Sequence, residues 1–537
     1  MTRRPSLVLS VGAALALAAC VAPSSVTPAA SPAPAPVDAS GPGAAVSADA
    51  ALERGAATIT AADFISRVTF LASDVMRGRD TPSRELNIAA EALADHYRRL
   101  GAEPAGENGT YYQWYPFPLM GLTQAETRLN FATARRTESL RLGRDFFTRG
   151  GTAADVSGGL VFVGRGTQEQ FGAAGSLRER IAVVSLPGRN VSAWRVERNR
   201  QVSEARRAGA SAVVHVLDAV WTADSIARYA ELAARPVRSL GGVVAFPQFF
   251  VTQAAARRIF ATGNVNFDQV VSQAGESGFR PITLSGVTVV GAAPVREIER
   301  SMAPNVVAVL RGSDPVLRNE YVVVSSHFDH VGVGAPDARG DSIYNGADDD
   351  ASGTTGVMEI AEALASLPTR PRRSVVFLNV SGEEKGLLGS EWYADHPTLP
   401  LNQIVANVNI DMIGRNAPDS IVVIGKEYST LGRTVNEVRA RHPELNLVAA
   451  DDIWPEERFF FRSDHFNFAR KEVPVIFFFN GVHEDYHRPS DHAEKIDEDK
   501  GARVSRLIYY LVNDIANADQ RPQWDPRGLE EVRNLTR

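Results

Sequence analysis

Residues 321–330 read YVVVSSHFDH: an apolar run dense in valine that ends on a histidine, then Asp329, then a second histidine. A half-exposed strand alternates apolar and polar residues, whereas this run has the continuous character of a strand covered on both faces, as in a parallel sheet. Similar runs lie on either side, at 305–310, 374–380, 404–410, 421–424 and 473–479. Between the runs at 321 and 374 the spacing predicts a helix opened by Ser352, with Val357, Ile360, Ala361 and Leu364 on one stripe. A last helix repeats that register through Val504, Leu507, Ile508, Leu511, Val512 and Ile515. Strands that alternate with amphipathic helices predict an α/β fold: a mostly parallel twisted sheet with helices on both faces.

Open α/β sheets bind ligands beyond the carboxyl ends of their strands, so the informative residues are those just after each apolar run. They are heavily biased. His327 and Asp329 follow VVVSS; Glu383 and Glu384 follow SVVFLNVSG; Asp411 follows IVANVNI; His487 lies in the loop after VPVIFFFNG. The loop GADDDASG adds Asp348, Asp349 and Asp350 just ahead of the Ser352 helix. Two like charges about 4 Å apart repel by roughly 4 kcal/mol at an effective dielectric near 20, so converging carboxylates need protons or cations. A metal site is the economical reading. Mixed imidazole and carboxylate ligands suit zinc better than magnesium or calcium, and the inventory supports two ions with one shared carboxylate.

The strings HFDH, NGADDDASG, SGEEKGLLGS, NIDMIG and DYHRPSD occur in this order. Together they resemble the di-zinc exopeptidases of metallopeptidase clan MH, of the leucyl aminopeptidase type. The resemblance extends to the turn MRGRD at 76–80 and to the segment from about 287 to 518. It implies that His327 and Asp411 hold one zinc, that Glu384 and His487 hold the other, and that Asp349 bridges them. It implies also that Glu383 is the general base and that Tyr486 donates to the oxyanion. Asp329 suits an orienting role behind His327. The resemblance favours aminopeptidase activity on peptide substrates. A carboxypeptidase of the same family, or a single-zinc transferase of the glutaminyl-cyclase kind, are the alternatives.

Each feature has a plainer explanation. The acid triplet reads, alone, as a solvated turn before a capped helix. Glu383 and Glu384 fit the first turn of a helix, where acids favour the dipole. His330, His465 and His492 are read as hydrogen-bonding or capping residues. HEDYH at 483–487 fits the H-E-x-x-H pattern of single-zinc proteases, which works only on a helix; Gly481 and Pro489 flank it and no apolar stripe runs through it, so it reads as a chance match. Phe459, Phe460, Phe461 and Phe466 are expected either to line a pocket for an apolar side chain or to pack in the core.

The rest of the chain sets the context. Its 537 residues, 44% of them hydrophobic, are enough for two or more units with large cores. A net charge of −6 leaves no basic surplus for a phosphate backbone, which argues against nucleic acid as a partner. Neither a G-x-S-x-G elbow nor a G-x-x-x-x-G-K-[ST] loop is present. Arg3 and Arg4 precede an apolar run that is too short to span a bilayer, and the run ends at Leu17, Ala18, Ala19 and Cys20. This tetrad resembles a bacterial lipobox, which predicts an exported protein anchored to the membrane by lipid on Cys20, the sole cysteine. The expected organisation is a signal peptide (1–20), a disordered Pro/Ala/Ser tether (21–55), and a peptidase domain (56–127 plus 285–520). The peptidase is interrupted by an inserted unit (128–284) and followed by a tail (521–537). The insertion, with IAVVSLPGR, a helix and AGASAVVHVL in succession, resembles the protease-associated domain. His215 within it reads as a core histidine.

Overall fold

The computed structural model describes residues 47–149, 155–187, 191–240 and 246–536. The stretch read as a signal peptide, most of that read as a tether, and Cys20 lie outside the described residues. The central sheet has nine strands, and its middle four are parallel, in the order Ser374–Val380, Tyr321–His327, Ile404–Ile410, Val475–Phe479. Every residue of the first three is buried. Antiparallel strands flank this group, Met302–Leu310 on one side and Ser420–Ile424 on the other. One face is covered by the helices Ala61–Leu71, Arg84–Arg99, Gly353–Ala365 and Glu498–Asn517, the other by Leu388–Asp395 and the aromatic segment around Phe459–Phe468.

Strand order positions the site. From Tyr321–His327 the chain crosses to Ser374–Val380 on one side, then returns to Ile404–Ile410 on the other. The order therefore reverses at the carboxyl end of the strand that finishes on His327, and crevices open at such switch points.

Residues 128–292 supply a separate eight-stranded mixed sheet with its own apolar clusters. The chain enters and leaves this unit through Leu119–Leu122 and Val295–Glu299, which pair antiparallel. Its last strand, Ile282–Ala292, runs past the expected limit at 284: across a β-bulge between Leu284 and Thr288 it stays paired with Val156–Phe162, and from Thr288 onward its other edge pairs with Arg128–Ala132. His215 is fully buried, stacked on Phe250 with ring centroids 4.7 Å apart, its Nδ1 2.9 Å from Gln201 Oε1.

Three expectations require correction. Ala48–Ala56 is a helix within the stretch read as tether: its small side chains let it pack closely, with Leu52 O accepting from Tyr509 and Glu53 from Tyr510. The stretch read as a tail carries the helix Pro526–Thr536, which places Val532 in the core. Ser352 does not cap its helix. Asp350 accepts from Gly353 N instead, at 2.8 Å, while the Ser352 hydroxyl donates back to Asp348 O. Among the described residues, no helix is long and apolar enough to cross a membrane.

Candidate metal centre

Three strand ends and two loops deliver the acidic and imidazole side chains to one place. His327 Nε2 lies 3.3 Å from Asp349 Oδ1 and 3.6 Å from Asp411 Oδ1. On the opposite side of Asp349, His487 Nε2 is 3.0 Å from Asp349 Oδ2 and 3.0 Å from Glu384 Oε2. Asp349 thus faces both groups, and the five residues expected as ligands converge. The acid triplet is no solvated turn, since Asp348, Asp349 and Asp350 are all buried.

Several buried polar atoms of this donor set lack a partner. His327 Nε2, Asp349 Oδ2, Glu384 Oε1 and Asp411 Oδ1 are buried and make no hydrogen bond. Orphaned buried polar atoms are costly, and here they aim at common points, so the residues fit bound cations. Electrostatics agree. Burial pushes Glu383 well above the ordinary carboxylate range, helped by Glu384, Asp464 and Asp411 and opposed by His327. Burial would raise Asp349 too, but His330, His327 and His487 hold it well below that range.

Second-layer contacts fix the loops. His327 Nδ1 faces Asp329 O at 3.2 Å. The Asp329 carboxylate accepts from Thr81 Oγ1 at 2.9 Å and from Glu383 N at 3.3 Å, tying the turn after MRGRD to the glutamate pair. Asp491 accepts from the backbone of Asp348 and Asp349. Arg79, fully buried, donates to the carbonyls of Leu71, Phe328, Asn345 and Gly346, and so clamps the HFDH and NGADDD loops together.

Tyr486 and Glu383 border a narrow cleft over the first donor group, walled by Met412, Phe459, Phe479 and Val482. Burial and the surrounding carboxylates raise the Tyr486 phenol far above its usual range, so it stays a proton donor. Of the four phenylalanines considered as pocket residues, Phe459 lies on this cleft. Phe460 and Phe461 line a different cavity of about 1190 Å³ beside Lys426 and Tyr428, and Phe466 packs on Phe461.

HEDYH forms a turn, with His487 at φ 53°, so its two histidines do not share a helix face. His483 faces Asp348 at 3.3 Å instead. His465 is buried and stacked on Phe477, and burial holds it down to about 3; His492 faces Asp341 at 3.5 Å. His330, expected as a hydrogen-bonding or capping residue, does not sit at a helix end. It is buried within the acidic cluster, 2.7 Å from Glu384 Oε1. Its place in HFDH, three residues beyond the end of the strand that finishes on His327, is the only sequence feature that sets it apart.

This geometry defines an α/β protein with a buried His/Asp/Glu metal centre at the switch point of its sheet. The family model for Peptidase family M28 matches residues 305–512, which include His327, Asp349, Glu384, Asp411 and His487. Among curated relatives, a probable zinc metalloprotease of Leptosphaeria maculans is 36% identical over 115 residues, 21% of this chain and 25% of its own length. Aminopeptidase YwaD of Bacillus subtilis is 27% identical over 214 residues, 38% of this chain and 43% of its own. The chain thus spans less than half the length of these relatives. A solved aminopeptidase from Aneurinibacillus sp. strain AM-1 aligns over 88% of this chain and 98% of its own at 19% identity, with a TM-score of 0.48.

Proposed function

We propose that this protein is a zinc exopeptidase that removes residues from the amino ends of peptides. The reading rests on the orphaned, buried donors that converge on both sides of Asp349, supported by the family match over 305–512. His327 and Asp411 would hold one zinc, Glu384 and His487 a second, and Asp349 both. Bound zinc supplies a water acidic enough to ionise near pH 7 and polarises the substrate carbonyl. Glu383 lies beside the donors without a place among them, so its carboxylate takes the proton from the attacking water. Its raised proton affinity suits it to carry that proton to the leaving amine. Tyr486, kept protonated, donates to the oxygen on which negative charge develops. The walls formed by Met412, Phe459, Phe479 and Val482 favour an apolar side chain next to the scissile bond.

The test is a panel of free-amine and N-blocked peptides, with zinc counted per chain. Cleavage of free-amine substrates alone, with two zincs, is expected. Release from the carboxyl end of blocked peptides would move the assignment to a carboxypeptidase, and one zinc with cyclisation of amino-terminal glutamine would move it to a transferase. Export with lipid on Cys20, and a protease-associated identity for the inserted unit, belong to the same proposal; fatty-acid labelling lost in Cys20→Ala tests the first.

A further inference from the structure

We propose that His330 is itself a metal ligand, giving the second metal position four protein donors, Asp349, Glu384, His487 and His330, against three at the first. This rests on the two-metal reading above, which names only five ligands.

His330 is completely buried, and neither of its ring nitrogens makes a hydrogen bond. Its Nδ1 nevertheless lies 2.7 Å from Glu384 Oε1 and 3.7 Å from Asp349 Oδ2. Two donors each about 2.0–2.1 Å from one zinc, at a tetrahedral angle, stand roughly 3.3 Å apart. The two distances bracket that value. Glu384 Oε1 likewise lacks a well-aligned hydrogen bond, which leaves both atoms free to turn to a shared cation. His327 shows the same pattern towards Asp349 and Asp411. One atom each from His330, Asp349 and Glu384 falls within a 4.8 Å sphere of mutual distances, as do those of His327, Asp349 and Asp411. The rings of His330 and His487 sit edge to face, centroids 5.6 Å apart, flanking the carboxylates they share.

The backbone is shaped for this placement. His330 N donates to Arg79 O at 3.3 Å. Gly346, at φ 60°, lies so close that a Cβ there would come within 2.5 Å of the His330 ring. Glycine at this position both permits the left-handed turn and admits the imidazole against the NGADDD loop.

Three donors with an open place is the pattern of a catalytic zinc, and four that of a closed one. The second position should therefore bind more tightly and exchange more slowly, leaving the first to admit water and substrate. The experiment is calorimetric titration of chelator-stripped full-length protein with Zn²⁺, repeated with Co²⁺ by visible absorption. Wild type should show two unequal sites. His330→Ala should weaken the tighter by on the order of 100-fold or more, beyond the loss typical of outer-layer partners, and alter its Co²⁺ spectrum. His330→Asn puts an amide N–H where Nδ1 was, preserving a hydrogen bond to Glu384 without a good zinc donor, and should be as weak as the alanine variant. Wild-type affinity in either variant would overturn the proposal while leaving two zincs per chain. A wild type that binds fewer than two ions would overturn both readings.

Discussion

Ser463 donates its hydroxyl to Oδ2 of Asp411 at 2.8 Å, leaving Oδ1 turned towards His327 Nε2. The contact ends a relay: Asn407 donates to Ser325, Ser325 to Asn409, Asn409 to Ser463, and Ser463 to the carboxylate, with separations of 2.7–2.9 Å. It runs between the adjacent parallel strands that end on His327 and Ile410 and decides which Asp411 oxygen faces the metal. Ser463→Ala should lower affinity at the first position by about 10- to 100-fold, with the second unchanged. A uniform loss at both sites in a zinc titration would contradict this.

Glu383 is assigned a proton to move and no metal to hold. Glu383→Gln should reduce kcat by on the order of 10²- to 10⁴-fold while retaining the wild-type zinc content. If zinc is lost along with activity, Glu383 is a ligand and the assignment is wrong.

The Arg79 clamp links stability to the site. Arg79→Met leaves the carbonyls of Leu71, Phe328, Asn345 and Gly346 without their donor, and each orphaned buried acceptor costs about 1–3 kcal/mol. A loss of unfolding free energy on the order of 4 kcal/mol or more is expected, read as a large drop in the urea midpoint. A midpoint close to wild type would show that water or another side chain takes over.

Glu359, on the helix Gly353–Ala365, offers a pH test away from the metals. Burial pushes its carboxyl up to about 8, although Arg67 lies 2.8 Å away. Because the folded state holds the proton more tightly than the unfolded chain, this contribution is full below about pH 4.3 and is lost as pH rises through 8. Glu359→Gln removes that loss, so its stability relative to wild type should increase from pH 5 to pH 9. Parallel pH profiles from chemical denaturation would rule the effect out.

Phe459 tests the apolar cleft. Phe459→Ala should lower kcat/KM for leucine and phenylalanine amides by on the order of 10-fold, with little change for lysine or glutamate amides. Wild type that turns over all four classes equally would dispose of the pocket.

Strand and helix identity was legible where periodicity was strong. The runs at 374–380 and 404–410 match the observed strands end to end, and His327, Glu384, Asp411 and His487, each at or beyond the end of such a run, lie together around Asp349. The two-residue strand Glu103–Pro104 and the three-residue Val448–Ala450 carry too little pattern to see, being held by their neighbours and not by their own composition. Likewise, nothing local distinguishes Phe459 on the cleft from Phe460 beside it.

Local chemistry along the chain already specified buried parallel strands with acids and imidazoles at their ends, since burial and periodicity are properties of neighbouring residues. Which of those groups face one another depends on strand order and loop closure. Those are set by contacts between residues hundreds of positions apart, such as Arg79 with Phe328 and Gly346. For that reason His330, unremarkable in the string HFDH, shows itself as a metal-facing side chain only once the fold has brought Glu384 to within 2.7 Å of it.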